Sequence, residues 1–188
     1  MKQGDLFASQ DRLPDGFLYR EHLISDEEET DLVRRLRELP FEPFDFHGHL
    51  ANRQVVGFGL RYDYVRRAVV EATPIPEFLM PLREKVAQLA GRSAKAFEQV
   101  LINEYREGAG IGWHRDKPQF GEVAGVSLLA ACSFRLRRKD GPKWERKTIT
   151  VEPRSAYLMT GRSRDEWEHS IPSVARHRYS ITLRTLRI

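Results

Sequence analysis

From residue 97 to residue 187, short segments that favour β-structure follow one another, and no helical pattern separates them. Seven such segments are bounded by glycine, proline or polar turns: 99–105, 125–132, 134–138, 147–151, 155–160, 168–172 and 179–187. The last of them alternates roughly at a period of two and is rich in β-branched and aromatic residues. Short strands at such close spacing predict a β-sandwich or a jelly roll.

The N-terminal half carries helical patterns instead. Ser25 and Glu28 have the spacing of a capping box. Apolar residues then recur at helical spacing until Pro40 ends the helix: Leu32, Val33, Leu36 and Leu39. A second amphipathic helix is predicted over 77–90, before Gly91, whereas 41–65 predicts strands and loops. We expect both helices to pack on one face of the β-structure.

Length and composition limit the class of protein. With 188 residues, 40% of them hydrophobic and 31% charged, the sequence predicts one globular domain over 17–188. Residues 1–16 predict a flexible arm that a turn at 13–16 closes. No signal peptide and no apolar run of roughly 20 residues is present, so we expect no membrane contact. The single cysteine, Cys132, excludes an internal disulfide and suits a reducing, cytoplasmic setting, and we expect a monomer.

Charge is unevenly distributed along the chain. Residues 1–100 hold 14 Lys and Arg against 17 Asp and Glu, whereas residues 101–188 hold 17 against 10. A basic C-terminal half suits a polyanionic substrate, although many surfaces are uneven without one.

A His-x-Asp pair, His114 and Asp116, is the clearest chemical motif. On an extended segment, side chains two residues apart point to the same face, so the imidazole and the carboxylate converge. They supply two thirds of the facial triad that binds non-haem iron, and a second histidine must come from elsewhere. His169 lies 55 residues after His114 in a strand-like stretch, which leaves room for intervening strands of one barrel.

The segment from Gly108 to Asp116 also allows other interpretations. A lone His-x-Asp pair also occurs as an ordinary hydrogen-bonded contact, and the motif alone leaves that alternative open. The tripeptide from His114 to Asp116 matches the kinase catalytic loop, but that loop requires Asn five residues later, where Gly121 stands. The alternating glycines at 108–112 do not open a Rossmann helix, because Trp-His-Arg-Asp-Lys-Pro follows.

Arg178 follows His169 by nine residues. Its planar fork of donors can bind a carboxylate through two parallel bonds. A strand leaving the metal site can place this fork at the far end of a short dicarboxylate. Arg184, six residues later, points to the same face of a strand. Two arginines on a terminal strand are also common as solvated charge.

These motifs, in this order, resemble the AlkB family of oxygenases. They are Asn103-x-Tyr105, the glycine-rich segment before His114-x-Asp116, Val126-Ser127-Leu128, His169, and Arg178-Tyr-x-x-Thr-x-Arg184. The resemblance covers roughly residues 97–188. Upstream, Arg53-Gln54-x-x-Gly-Phe-Gly59 and Tyr62-x-Tyr64 resemble the nucleotide-recognition region of that family more loosely. One departure is Ser180, where the founding member of the family has asparagine.

The resemblance implies a mixed α/β (α+β) fold with a double-stranded β-helix (jelly-roll) core over 97–188. Helices and a substrate-recognition region would occupy 17–96. The implied iron(II) ligands are His114, Asp116 and His169. The implied 2-oxoglutarate ligands are Asn103, Tyr105, Arg178 and Arg184, with O2 as co-substrate. The implied reaction is oxidative demethylation of alkylated bases, since a hydroxylated N-methyl group breaks down to formaldehyde and the free base.

A basic hairpin bears on the substrate. Residues 135–147 predict two strands that turn at Asp140-Gly141, with seven Lys and Arg, two acidic residues, and Trp144 near the tip. Cations beside an aromatic ring suit a phosphate backbone and a stacked base, but a solvated hairpin has the same composition. The resemblance favours alkylated nucleic acid, DNA before RNA. We expect Tyr62 to contact the base and Arg138 the backbone.

Two alternatives remain open at this point. One is a hydroxylase of a protein or small molecule on the same scaffold. The other is a non-catalytic β-barrel module that binds nucleic acid through the hairpin.

Overall fold

The computed structural model describes residues 13–46, 49–63, 65–66 and 68–187. Residues 1–12, which make up most of the predicted arm, and Tyr64 lie outside the described residues. The turn predicted at 13–16 is present, because the Phe17 amide donates a hydrogen bond to the Pro14 carbonyl at 2.9 Å.

Three α-helices occur in the described part of the chain. They are α1 (Asp26–Leu36), α2 (Met80–Ala90) and α3 (Gly161–Asp165). The capping box of α1 forms as predicted, since the Ser25 hydroxyl accepts from the Glu28 amide at 3.2 Å and the Glu28 carboxylate accepts from the Ser25 amide at 2.7 Å. A 3₁₀ turn at Glu77–Leu79 leads into α2, and Gly91 ends α2 in the left-handed conformation. None of the described helices is long and apolar enough to cross a membrane.

Twelve strands are described. They are β1 (Phe17–Arg20), β2 (Glu42–Phe46), β3 (His49–Asp63), β4 (Ala68–Glu71), β5 (Phe97–Tyr105), β6 (Ile111–His114), β7 (Phe120–Leu128), β8 (Cys132–Asp140), β9 (Lys143–Val151), β10 (Ala156–Met159), β11 (Glu168–Ile171) and β12 (Arg178–Leu186). Every described pairing between them is antiparallel.

The described strands form two sheets that together make the predicted jelly roll. The large sheet has the order β1-β10-β7-β12-β5-β3-β2, with β4 paired to β3, and the small sheet has the order β6-β11-β8-β9. After β5 the chain passes back and forth between the sheets, as in a double-stranded β-helix: β6 is in the small sheet, β7 in the large, β8 and β9 in the small, β10 in the large. The prediction of a β-rich core with flanking helices is confirmed.

Two apolar clusters occupy the two faces of the large sheet. One packs α1 and α2 against the outer face and contains Leu36, Val86 and Ile181. The other lies between the sheets and contains Phe134, Tyr157 and Trp167. The helices therefore cover one face of the large sheet, and the interior between the sheets remains for chemistry.

Some predicted boundaries were wrong. The strand expected over 125–132 is β7, which runs from Phe120 to Leu128. It ends because Leu129 has a φ of 72°, and its amide donates to the Glu29 carboxylate of α1 at 2.7 Å. Helix α1 ends at Leu36 rather than near Pro40, since tighter i→i+3 bonds follow Leu36 and a residue before proline disfavours the helical conformation. The short helix α3 and strand β6 were absent from the predicted elements.

Candidate active site

His114, Asp116 and His169 come together between the two sheets. Their ligand atoms lie within 4.8 Å of one another. His114 at the end of β6 is the register partner of His169 in β11, and their ring centroids are 4.2 Å apart. Asp116 lies in the loop after β6, with its Oδ2 atom 3.6 Å from His169 Nε2. The two residues of the His-x-Asp pair therefore converge through a loop, not along one extended strand.

The protonation states of this cluster suit a metal cation. Burial, with the neighbouring His114, lowers the pKa of His169 to about 3, and burial also lowers the pKa of His114. Burial, the largest single effect, would raise the pKa of Asp116, but the nearby groups, Arg184 foremost and then the two histidines and Arg164, together outweigh it, and the pKa lies well below its usual range. At neutral pH the two imidazoles are neutral and the carboxylate is ionised, which is the state that binds metals.

Hydrogen bonds to the protein fix the orientation of two of these side chains. His114 Nδ1 lies 2.9 Å from the Gly112 carbonyl, so Nδ1 carries the proton and Nε2 can act as a ligand. Arg184 binds Asp116 Oδ1 through Nε at 2.7 Å and through Nη2 at 2.6 Å. A third nitrogen of Arg184 donates to Gln99 at 2.8 Å. Because Arg184 occupies Oδ1, the Oδ2 atom that faces His169 is left for a metal.

Strand β12 supplies a polar floor to this interior. Its alternate residues Arg178, Ser180, Thr182 and Arg184 share one face, as predicted from the period of two. The intervening residues Tyr179, Ile181 and Leu183 belong to the apolar cluster beneath the helices. The strand thus separates a polar face from an apolar one, which explains why its first six residues, 178–183, are all buried.

Arg178 is the main unsatisfied group on this floor. It is 1% exposed, and one nitrogen, Nη2, donates to the Ser127 hydroxyl at 2.8 Å. Its Nε and Nη1 atoms are buried and have no hydrogen-bond partner among the described residues. The guanidinium lies 5.0 Å from the centre of the Tyr105 ring. A buried cation with unused donors is costly unless an anion completes it, so the site fits a carboxylate.

Asn103 and Tyr105 border the same floor from β5. Asn103 pairs in register with Ser180, and Tyr105 pairs with Arg178. The Asn103 carbonyl oxygen accepts a hydrogen bond from buried Arg53 at 2.6 Å. That bond orients the amide so that its nitrogen, which has no partner among the described residues, can donate to a ligand.

Comparison with known proteins identifies this arrangement. The family described as the 2OG-Fe(II) oxygenase superfamily matches residues 16–188. The chain belongs to that superfamily. Within it, the AlkB family predicted from the motifs is confirmed by its relatives.

Two of these relatives carry ALKBH8 names. The chain is 28% identical over 147 residues to an alkylated DNA repair protein ALKBH8 homolog of Arabidopsis thaliana, covering 65% of this chain and 42% of that protein. It is 30% identical over 166 residues to the tRNA (carboxymethyluridine(34)-5-O)-methyltransferase ALKBH8 of Mus musculus, covering 85% and 24%. The chain therefore spans less than half the length of either relative. The solved structure of OsALKBH1 shares the fold, with a TM-score of 0.73 and 18% identity over 93% of this chain and 98% of that one.

This oxygenase family uses Fe(II) and 2-oxoglutarate, and the residues present fit both. Two neutral imidazoles and a carboxylate are the donor set of a non-haem iron site. The unpartnered nitrogens of Arg178 fit one carboxylate of a dicarboxylate.

Arg164 organises the oxygenase site, although nothing in its sequence context indicated a role. It projects from α3, is 4% exposed, and donates to the carbonyls of Lys117, Phe120 and Gly121 at 2.8–2.9 Å. These bonds hold the loop that carries Asp116. Burial lowers the pKa of Arg164, yet the guanidinium remains charged at neutral pH.

Arg164→Lys is expected to destabilise the protein by about 2–4 kcal/mol, because an ammonium group cannot reach the carbonyls that the guanidinium fork joins. Urea unfolding followed by circular dichroism measures this change. The matched control is Arg162→Lys on the same helix, whose side chain is 57% exposed and pairs only with Glu166 among the described residues. It should change stability by less than about 0.5 kcal/mol. Equal losses in the two variants would contradict the role of Arg164.

The two residues predicted to contact substrate, Tyr62 and Arg138, have different surroundings in the structure. The centre of the Tyr62 ring in β3 lies 5.2 Å from Lys117 Nζ. Lys117 directly follows Asp116 in sequence, so Tyr62 borders the site. Arg138 instead binds Glu145 and Glu166, each at 2.7 Å. A nucleic-acid phosphate that contacts Arg138 would therefore have to compete with these two carboxylates.

Proposed function

We propose that this oxygenase oxidises alkyl groups on the bases of nucleic acid, with iron bound by His114, Asp116 and His169. The observation that carries the proposal is the placement of this cluster in one barrel with the unpartnered guanidinium of Arg178. Iron held by these three residues, together with 2-oxoglutarate, would supply the oxidising chemistry that hydroxylates a C–H bond held nearby.

The protein residues have positioning roles in this reaction. Arg178 would hold the distal carboxylate of 2-oxoglutarate, with Asn103 and Tyr105 beside it. Arg184 holds Asp116 in its ionised state and in one orientation. Phe134 stacks on His169 with ring centroids 5.4 Å apart and helps to exclude water from the metal.

The outer face of the small sheet favours a nucleic acid as substrate. The hairpin of β8 and β9 turns at Gly141, as predicted, and Trp144 near its tip is 38% exposed. Arg137 lies between Trp113 and Trp144, with its guanidinium 4.4 Å from each ring centre, and it donates to Glu168 at 2.6 Å. This stack holds Trp144 in place with Arg137 against one face of its ring, so we assign base stacking to the opposite face.

The exposed cations of the hairpin lie around Trp144. Lys139 is the register partner of Trp144, and Arg146 is the partner of Arg137 on the same outer face. Lys143 stands at the tip, and all three cations are exposed. Because Arg137 and Arg138 are occupied by carboxylates, we assign phosphate contacts to Lys139, Lys143 and Arg146.

Replacing these three cations with alanine should weaken binding of a methylated oligonucleotide and flatten its salt dependence. Each phosphate contact adds roughly 0.7–0.9 to the slope of log affinity against log salt, so the loss of three lowers the slope by about 2–3. Fluorescence anisotropy at several salt concentrations measures this.

The control for net charge is the triple substitution Arg20, Arg37 and Lys95 to alanine, since all three are exposed and lie outside the hairpin. It should leave the slope nearly unchanged. If both triple variants lose the same affinity, the hairpin carries no specific role and binding reflects overall charge alone.

A direct test of the function is succinate formation with iron, 2-oxoglutarate and one of several substrates. Methylated DNA or methylated RNA should stimulate succinate release above the level with the unmethylated strands. Stimulation by a peptide or small molecule alone would favour a hydroxylase on the same scaffold. No succinate under any condition would favour a non-catalytic binding module.

A further inference from the structure

Tyr157 is a buried phenol between the two sheets that the proposed reaction leaves without a role. It lies on β10 and is 8% exposed. Its ring packs 4.5 Å from that of Phe134 and stacks on Phe17 at 6.0 Å. The aromatic packing fixes the ring, and a fixed ring fixes where the hydroxyl lies.

Gly125 shows where that hydroxyl points. The two residues are register partners on β10 and β7. A Cβ atom added at Gly125 would lie 2.3–2.5 Å from the Cζ, Cε1 and hydroxyl oxygen atoms of Tyr157. The far end of the phenol therefore crosses directly over Gly125, in space that any side chain at that position would fill.

The crossing brings the hydroxyl over the polar floor. Gly125 is the register partner of Thr182 on β12. Thr182 lies between Ser180 and Arg184 on the face that also carries Arg178. The phenol thus points into the space between the unpartnered guanidinium of Arg178 and the Asp116–Arg184 pair at the metal cluster.

The Tyr157 hydroxyl makes no hydrogen bond to the described residues, and unlike two of the Arg178 nitrogens it is not fully enclosed, so a ligand in the interior can reach it. Burial, together with the nearby Asp116 carboxylate, raises its pKa well above the usual range, so it is protonated and a donor at neutral pH. A buried phenol normally finds an acceptor. The described protein groups around it supply none, and a bound anion would.

We propose that Tyr157 is a positioning residue for 2-oxoglutarate, donating a hydrogen bond to the carboxylate at the 2-oxo end while Arg178 holds the other end. This inference rests on the proposed cofactor site and adds a residue to it. Thr182, the register partner of Gly125, is two residues from Arg184, which binds Asp116 of the metal cluster, and four residues from Arg178. The Tyr157 hydroxyl is therefore assigned to the metal end of the site, where the 2-oxo end of the cofactor would bind. Ser180 on the same face has only a short side chain, so the longer phenol of Tyr157 can fill the space that Ser180 leaves above β12.

The test is Tyr157→Phe, which keeps the ring and removes the donor. Calorimetry on Mn(II)-loaded protein should show the Kd for 2-oxoglutarate rising by about ten- to a hundredfold, as expected for a lost hydrogen bond to a charged group. The Mn(II) affinity and the thermal midpoint should stay unchanged. In turnover, KM for 2-oxoglutarate should rise while kcat at saturation changes less than about threefold.

Tyr19→Phe is the matched control. Tyr19 is the register partner of Tyr157 on β1, but its hydroxyl is taken up by the Glu152 amide at 2.9 Å, so 2-oxoglutarate affinity should not change. If Tyr157→Phe binds 2-oxoglutarate as tightly as the wild type, the phenol only packs and the proposal is overturned. Unfolding of Tyr157→Phe would overturn it too, because the protein itself would then need the hydroxyl. Failure of the wild type to bind 2-oxoglutarate would instead overturn the proposed cofactor site.

Discussion

Asp116→Ala is expected to abolish iron-dependent succinate formation, with a loss of at least about a thousandfold. The substitution removes a charged ligand and leaves Arg184 as a buried cation beside two imidazoles, which repels a metal ion. His169→Ala should have the same effect on turnover through loss of one of the three ligands. Succinate release and Fe(II) binding should therefore fail together in both variants, while circular dichroism shows a retained fold.

Asp165→Ala is the matched control, because it also removes a carboxylate and lies four residues before His169 in the sequence. Asp165 is about half exposed and pairs with Arg187 on the surface. It should keep wild-type succinate formation. Wild-type rates in a folded Asp116→Ala or His169→Ala protein would contradict the assignment of the metal ligands.

Arg178→Ala should raise the 2-oxoglutarate requirement roughly 30-fold to several thousandfold. Loss of one partner of a buried charge pair typically costs about 2–5 kcal/mol. Arg178→Lys should recover only part of the affinity, because the ammonium group lacks the fork of donors and cannot also keep the bond to Ser127. The measurement is the dependence of succinate release on 2-oxoglutarate concentration, supported by direct binding.

Arg176→Ala provides the matched control, since Arg176 is exposed and stands two residues before Arg178. It should leave the 2-oxoglutarate requirement unchanged. If Arg178→Ala saturates at wild-type concentrations, another cation holds the distal carboxylate. Arg184 would be the first to test, and its bonds to Asp116 and Gln99 would then have to rearrange.

The fold was predictable where local pattern and tertiary structure agree. The capping box at Ser25 and the alternation along β12 are local signals, and both appear in the structure. The end of β7 was missed because it depends on Glu29, a hundred residues earlier, which binds the Leu129 amide. No residue pattern within 120–132 could predict that contact.

The same distinction applies to the candidate site. The His-x-Asp pair and the carboxylate-binding role of Arg178 could be inferred from residue type and spacing, because their chemistry requires those groups, but the burial of Arg178 could not. The engagement of Arg138 with two carboxylates and of Arg164 with the loop after Asp116 could not. Both depend on which side chains the two sheets bring together, and a glutamate partner is indistinguishable in sequence from solvated charge.

The most direct test of the central claim is formaldehyde release from an oligonucleotide with a single N-methylated base. Purified protein is incubated with Fe(II), 2-oxoglutarate and O2, and formaldehyde is measured together with the mass of the strand, for DNA and RNA in parallel. We predict that at least one strand loses its methyl group with one formaldehyde and one succinate formed per demethylation, and that Asp116→Ala forms neither. Succinate formation that methylated DNA and methylated RNA leave unchanged, with no formaldehyde from either, would contradict the claim.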